Sequence, residues 1–310
     1  MSLNDDISWD LLRRLVHELA GQSAELVESR PLAGGMINNT LLLTANTGDR
    51  FVLKISPHRV NRDFSREAHQ LQILRDFGLP VPRVWSVNVA SLDNPDSYLV
   101  MEYLPGVTLH HAKEQAPPEE YDRLQHELAD LVVQLHCNTA DAYGRVTDGA
   151  TRTFGAWVDF YRHVYDPIIH VLDEMPQLAG KPIKLIHKVH ERLDRLIAHP
   201  DRPRLVHWDI WATNVLTAPD EHGHWHITAL LDPNCKYAHN EAEIAYIDLF
   251  HTGTKEFRRA YQQQFKLGDD YHRIRKPVYQ LYPLLNHVQL FGQQYLKPLN
   301  ESLDRVATLV

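Results

Sequence analysis

The chain opens on a helical rhythm. Leu12, Leu15, Val16 and Leu19 recur at intervals of three and four, with arginines and acids on the other face, which predicts an amphipathic packing helix. The period then shortens to two. "MINNTLLLTA" and "RFVLKI" are apolar runs separated by "NTGD", a hairpin turn in composition, and Phe51, Leu53 and Ile55 alternate with Val52 and Lys54. Lys54 therefore faces away from the three large apolar groups. A helix is predicted from about Asn61 to Phe77, closed by Gly78 and by the prolines of "LPVPRV". "SYLVMEYL" reads as a strand, which "PGVTLHH" leaves through a Pro-Gly turn.

Beyond Pro105 helical spacing dominates. Leu124, Leu128, Leu131 and Leu135 share one face, and similar patterns recur in "AWVDFYRHVYDPII", "IKLIHKVHERLDRLIA" and "YQLYPLLNHVQLFGQQYL", where Pro283 marks a first turn or a kink. Only "RLVH", "NVLTA" and "HWHITALLD" interrupt this part as strands. The fold class is α+β: an N-terminal lobe over 1–101 built as an antiparallel sheet with one helix, a hinge over 102–106, and a mainly helical C-terminal lobe over 107–310.

Composition narrows the function. A chain of 310 residues is long enough for two lobes. No run approaches the roughly 18 apolar residues of a membrane span, and the start carries acids where a signal peptide carries basic groups. A cytoplasmic protein is expected, with no membrane partner. Against 32 basic residues stand 40 acidic ones, for a net charge of −8 without a long basic run, which excludes nucleic acid as the main partner. The two cysteines, Cys137 and Cys235, are distant and read as reduced thiols.

The chemistry concentrates in "HWDIWATN", residues 207–214. "NVLTA" and "HWHITALLD" flank the turn "PDEHGH", so they pair as a hairpin, and a turn centred on Gly223 sets Asn214 across from Asp232. An amide and a carboxylate there are hard oxygen ligands suited to Mg²⁺. Asp209, on the loop leading in, is placed to orient a substrate hydroxyl and take its proton during phosphoryl transfer. The D-x-x-x-x-N spacing, followed by an aspartate one hairpin later, is the catalytic-loop pattern of protein kinases. His207 reads more simply as a loop brace.

The first lobe supplies a second arm. "AGGMINNT" has Gly34 and Gly35 for close backbone approach to phosphates, with Asn38 beside them. Lys54 has the position of a lysine that reaches the α- and β-phosphates of ATP, and Glu67 on the next helix is its ion-pair partner. Glu102, Tyr103 and Leu104, in "MEYL", offer backbone groups to an adenine edge. Taken singly, the glycines read as a turn, Lys54 as a surface lysine and Glu67 as part of a solvated helix face.

"LVHWDIWATNVL", "LLDPNCKYAHNEAEIAYIDLF" and "YQLYPLLNHVQLFG" together resemble the fructosamine (ketosamine) kinase family, within the phosphotransferases of the aminoglycoside and choline kinase type. That family shows HGDLWxGN, then DPxxYxGHREADLA, then YQLYxLLNHxxLFG. The likeness runs from the Gly34 loop to Tyr295, and Trp211 matches the tryptophan that distinguishes the family. The resemblance implies a protein-kinase-like two-lobed fold and an ATP- and Mg²⁺-dependent phosphotransferase acting on a hydroxyl of a ketosamine, a small-molecule or glycated-amine acceptor, in the removal of glycation adducts. It casts Asp209 as base, Asn214 and Asp232 as metal ligands, Lys54 with Glu67 as the phosphate-binding pair, and Trp211, His239 and Glu241 near the acceptor. Trp157, Phe160 and Tyr161 recur at helical spacing as core residues do, and in such a fold they could also wall an acceptor pocket by stacking on a sugar or amine. Trp208 stands in place of the family's glycine, where it narrows the acceptor site, Asn240 in place of arginine and Glu243 in place of aspartate. Met36 occupies the place of a cysteine found in some relatives, so no redox-linked dimer through that loop is expected and a monomer is favoured.

Two other readings compete. The same fold could accept an aminoglycoside, a choline-like alcohol or another hydroxylated metabolite, or the chain could bind nucleotide without catalysis, against which the intact set Lys54, Asp209, Asn214 and Asp232 argues. His222, His224 and His226 alternate as zinc ligands would, but in a chain with 20 histidines a solvated turn tip gathers such clusters by chance.

Overall fold

The computed structural model describes residues 7–32, 39–56, 63–91, 95–198 and 201–310. Gly34, Gly35, Met36 and Asn38 lie outside the described residues. The chain forms two compact units, one comprising Met1–Ala112, Thr147–Gly149 and Thr213–Pro233, the other Lys113–Val146, Ala150–Ala212 and Asn234–Val310.

The first unit begins with α1 (Trp9–Ala20), β1 (Leu26–Pro31), β2 (Asn39–Ala45), β3 (Arg50–Ser56), α2 (Ser65–Asp76), β4 (Val84–Asn88) and β5 (Ser97–Glu102). The strands form an antiparallel sheet in the order β1-β2-β3-β5-β4. One core joins Leu11, Leu12, Leu15 and Val16 of α1 to Leu41, Leu43, Phe51, Leu53 and Ile55 of the sheet. Each fully buried aliphatic contributes about 1.5–3 kcal/mol. That demand fixes the face on which Phe51, Leu53 and Ile55 lie and leaves Lys54 on the other. β1 and β4 were not legible in the apolar pattern, since neither has a fully buried position: partly buried residues alternate with exposed ones in β4 and are separated by pairs of exposed ones in β1. α2 starts at Ser65, later than the predicted Asn61.

After β6 (Val107–Thr108) and α3 (Leu109–Gln115) the chain enters the second unit. There α4 (Pro118–Cys137), β7 (Tyr143–Arg145), β8 (Thr153–Phe154), α5 (Trp157–His170), α6 (Lys181–Glu191), α7 (Leu193–Leu196) and β9 (Arg204–Val206) follow. The chain returns to the first unit for the hairpin β10 (Val215–Pro219) and β11 (Trp225–Leu230). β12 (Lys236–Ala238), α8 (Asn240–Leu249), α9 (Lys255–Gln264), α10 (Lys276–Phe291) and α11 (Leu296–Ala307) complete the second unit. It is mainly helical, as predicted, but carries a small sheet in the order β8-β7-β12-β9. Strands of two or three residues are too short to show a period, which is why β7, β8 and β12 escaped notice.

Pro283 lies in the middle of α10, not at its first turn, which Pro277 occupies after one turn of π-helix over Tyr271–Arg275. In the first unit, β10 also pairs with β6, and Thr217 Oγ1 donates to the Val107 carbonyl at 3.1 Å. The approach demands Gly106: its φ is +146°, and a Cβ there would stand 2.5 Å from the Thr217 carbonyl oxygen. Among the described residues no helix is long and apolar enough to cross a membrane. Both cysteines are free thiols, and burial raises the pKa of Cys235 far above its ordinary value.

Candidate functional site

In the first unit, the face of β3 opposite the core carries Lys54. Its ammonium contacts the carboxylates of both Glu67, in the first turn of α2, and Asp232, just past β11. Burial alone would lower the Lys54 pKa, but the two carboxylates outweigh it and hold the value above the ordinary one. Lys54 is thus a buried, permanently charged cation. Its pairing with Glu67 was legible in the sequence; its contact with Asp232, across 178 positions of chain, was not.

The hairpin register differs from the symmetric one. Val215 pairs with Leu230 and Leu216 with Ala229, then a bulge lets Thr217 pair with Ile227. The bulge absorbs one residue, and the turn closes one position earlier than a Gly223 centre would have it, with the Asp220 N–H donating to the His224 carbonyl at 2.8 Å. Asn214 consequently faces Leu231, whose N–H donates to the Asn214 carbonyl at 2.8 Å, and Asp232 falls one residue beyond. Asp232 adopts φ +56°, a left-handed conformation that aspartate tolerates better than most residues. Its side chain is 45% exposed and remains open to a cation despite Lys54. Among the described residues no group of three His, Cys, Asp or Glu could hold a metal alone. One carboxylate and one amide suit an ion that arrives with phosphate and water oxygens, as Mg²⁺ does.

At the end of β5, the Glu102 N–H donates to the Arg83 carbonyl at 2.8 Å, so this donor is engaged within the sheet and not offered to a base edge. Its carboxylate accepts the Arg83 N–H at 3.1 Å. Tyr103, beneath the Arg50 guanidinium at 4.3 Å, and Leu104 follow as half-buried residues.

In the second unit, Asp209 is partly exposed on the loop after β9. The Tyr246 hydroxyl donates to Asp209 Oδ1 at 2.6 Å. One turn earlier on α8, Glu243 Oε1 accepts the backbone N–H of Trp208 at 2.6 Å. Glu243 Oε2 accepts from His136 Nε2 at 2.8 Å, and His136 Nδ1 lies 2.9 Å from the Tyr261 hydroxyl, which accepts from Asn240 Nδ2 at 2.7 Å. A carboxylate only accepts, so His136 Nε2 carries a hydrogen. Glu243 and His136 are entirely buried, and their network braces the loop from behind. His207 is also buried, and its carbonyl accepts the Asn234 N–H at 3.0 Å, in keeping with a loop brace.

Trp208 has φ +69°, costly for a bulky residue. Its ring lies under Lys236 Nζ at 4.6 Å and edge-on to Trp157 at 6.4 Å, so it packs inward on buried groups. Three of the expected acceptor residues are also interior. Trp157 is 3% exposed and donates to the Tyr279 hydroxyl at 3.0 Å, closing an aromatic core where a stacking wall for the acceptor had been expected. His239 caps α8, its Nδ1 accepting the Glu241 N–H at 3.2 Å. Glu241 forms a bidentate pair with Arg275 at 2.5 and 2.7 Å. Asn240, standing where arginine is typical, is spent inside the network on Tyr261. Trp211 alone of the four is half-buried, with its ring 6.4 Å from Phe250 in an aromatic strip that continues to Tyr246 and His287.

Sequence reasoning missed Tyr246, His136 and Tyr261. Glu243 and Tyr246 did carry a signal, since positions three apart on a helix share a face. His136 and Tyr261 carried none, being 107 and 21 positions from their respective partners Glu243 and Asn240.

The fold is shared with known phosphotransferases. The crystal structure named "Putative fructosamine-3-kinase" from Haemophilus somnus 129PT superposes with a TM-score of 0.75 at 21% identity, covering 96% of this chain and 97% of that one. A thermostable mutant of aminoglycoside phosphotransferase APH(4)-Ia, in a ternary complex with AMP-PNP and hygromycin B, superposes with a TM-score of 0.66 at 18% identity and 96% coverage of both chains. In sequence, the Escherichia coli K12 protein named "Probable ketoamine kinase YniA" is 29% identical over 307 residues, 96% of this chain and 99% of that protein. A Staphylococcus aureus protein also named a "Probable ketoamine kinase" is 27% identical over 296 residues, 91% of this chain and 94% of that protein. Residues 8–308 match the sequence profile of fructosamine kinase, and the chain therefore belongs to the fructosamine kinase family, phosphotransferases whose acceptor is a hydroxyl group.

Proposed function

We propose that the protein uses ATP and Mg²⁺ to phosphorylate a hydroxyl of a ketosamine, a sugar joined to an amine, as a step in removing glycation adducts. The observation that carries the reading is Lys54, a buried cation clasped by Glu67 and Asp232. Such a charge is held at a fixed place before any ligand arrives, as electrostatic stabilisation of a transferring phosphoryl group requires. Lys54 pairs with nucleotide phosphates, and Tyr103 and Leu104 line the base. Asn214 and Asp232 hold the metal ion, which when bound neutralises phosphate charge. Asp209 orients the acceptor hydroxyl and takes its proton. Trp211 lies against the sugar, because a half-buried indole presents an apolar face to the C–H side of a pyranose. Reaction proceeds by positioning and charge neutralisation, without a covalent enzyme intermediate.

The fold neighbour that holds AMP-PNP supports a nucleotide-dependent reading. The test is ADP release with fructosyl-lysine, with and without magnesium, beside a panel of aminoglycosides and choline. Turnover is expected only with the ketosamine and only with the metal. Asp209→Asn should lose about two to four orders of magnitude in kcat, the range of general-base contributions, while ATP binding by calorimetry is retained. Activity of Asp209→Asn equal to the parent would remove Asp209 from the mechanism. Phosphorylation of an aminoglycoside and of no ketosamine would move the acceptor class.

A further inference from the structure

α8 grips the loop at two consecutive residues. Glu243 takes the Trp208 N–H, and Tyr246, three positions on and on the same helical face, donates to Asp209 Oδ1 at 2.6 Å. An O–H···O⁻ hydrogen bond of that length belongs to the strong, charge-assisted kind.

The donor is itself held. The Tyr246 ring packs on Phe250 at 4.7 Å, one turn further along α8, and Phe250 in turn packs on His287 at 4.9 Å. Behind Tyr246 lies a cavity of only about 10 Å³, walled by Tyr161, Tyr165, Trp208, Glu243 and Tyr279, with room for one water at most. Burial, then the charge of Asp209, pushes the Tyr246 pKa well above the ordinary value, so it donates and does not ionise.

A carboxylate on a loop has two side-chain torsions to fix. In phosphoryl transfer through a loose transition state the base gains more from correct aim at the hydroxyl than from high proton affinity. A neutral donor bound to one oxygen provides aim at some expense of basicity.

We propose that Tyr246 is a positioning residue for the transfer reaction, holding Asp209 in the orientation from which it meets the acceptor hydroxyl. The proposal rests on the reading of Asp209 as the base. Tyr246→Phe keeps the ring and its packing and deletes only the donor. It should lower kcat about 10- to 100-fold, leave the KM for ATP within about twofold, and leave the thermal midpoint close to the parent's, because ring and cavity are unchanged. A merely structural tyrosine would show the reverse, a lowered midpoint with kcat preserved.

The decisive measurement is a double-mutant cycle over the parent, Tyr246→Phe, Asp209→Ala and the double variant, read by ADP release and by thermal unfolding. Once Asp209 is gone, the Tyr246→Phe change should have no further effect on turnover. If the parent is active on a ketosamine but Tyr246→Phe turns over normally, or the two effects on turnover multiply independently, the positioning role is overturned and the kinase reading stands. If the parent releases no ADP with any ketosamine, the kinase reading fails and the role of Tyr246 in that reaction falls with it.

Discussion

Glu243 makes two hydrogen bonds and meets no solvent, which makes its replacement a quantitative test of how the Asp209 loop is held. It accepts the Trp208 N–H at 2.6 Å and the His136 Nε2–H at 2.8 Å. Hydrogen bonds to a charged partner contribute about 1.5–3 kcal/mol each. Removing the carboxylate also strands two donors in the interior, so Glu243→Ala should cost about 3–5 kcal/mol. For a unit of this size, about 2–4 °C of midpoint is lost per kcal/mol, which corresponds to a fall of about 10 °C by circular dichroism. Glu243→Gln should be far milder, at about 1–2 kcal/mol. The amide oxygen still accepts from Trp208, and its NH₂ can be accommodated if His136 moves its hydrogen to Nδ1 and points it at Tyr261. Turnover should follow the same order, because Trp208 immediately precedes Asp209 and a loop shift of about 1 Å costs up to about 100-fold. An Ala variant that unfolds within about 1 kcal/mol of the parent, or Ala and Gln variants that cannot be told apart, would refute this account of the loop.

Two further outcomes follow from the same geometry. Trp208→Gly relieves a left-handed conformation worth about 1–2 kcal/mol, but it also loses a cation–π contact with Lys236, the edge contact with Trp157 and buried ring area, together worth more. Net destabilisation of about 1–3 kcal/mol is expected in urea titration, and a stabilised glycine variant would show that the ring does not pack as described. Burial lowers the pKa of His190, partly offset by Asp166, and likewise lowers that of His287, from an ordinary 6.5. The unfolded chain binds protons first as pH falls, so the stability tied to these neutral rings is complete above 6.5 and lost below it, toward the folded-state values. The thermal midpoint should therefore drop between about pH 7 and about pH 5, less steeply in His190→Asn, and an unchanged slope in that variant would exclude His190 as a source.

What could be read from the sequence was what repeats or sits close together. The α1 face, the β2–β3 hairpin and the side of β3 that carries Lys54 follow from periods of 3.6 and two, which the core enforces. "HWDIWATN" announced itself because Asp209 and Asn214 lie five apart. The hairpin register was off by one because the turn closes one position early and the bulge beside Thr217 recovers only half of the resulting shift, and neither leaves a mark in a pattern of alternating residues. His239 and Glu241 were read as acceptor contacts because their motif follows the site in sequence, whereas helix capping and a buried ion pair with Arg275 engage them, and Trp157 is engaged by Tyr279 in the aromatic core. Contacts such as Tyr246 with Asp209, 37 positions apart, arise only once α8 is laid against the loop.

The left-handed backbone of Asp232 sorts the alleles that can be made around Lys54. Asparagine shares aspartate's tolerance for that conformation, so an amide there reports on lost charge alone. Alanine or valine at the same place mixes electrostatics with a main-chain penalty. Glu67, in a helix, imposes no such condition, and truncating it is a cleaner genetic lesion than truncating its counterpart across the lysine.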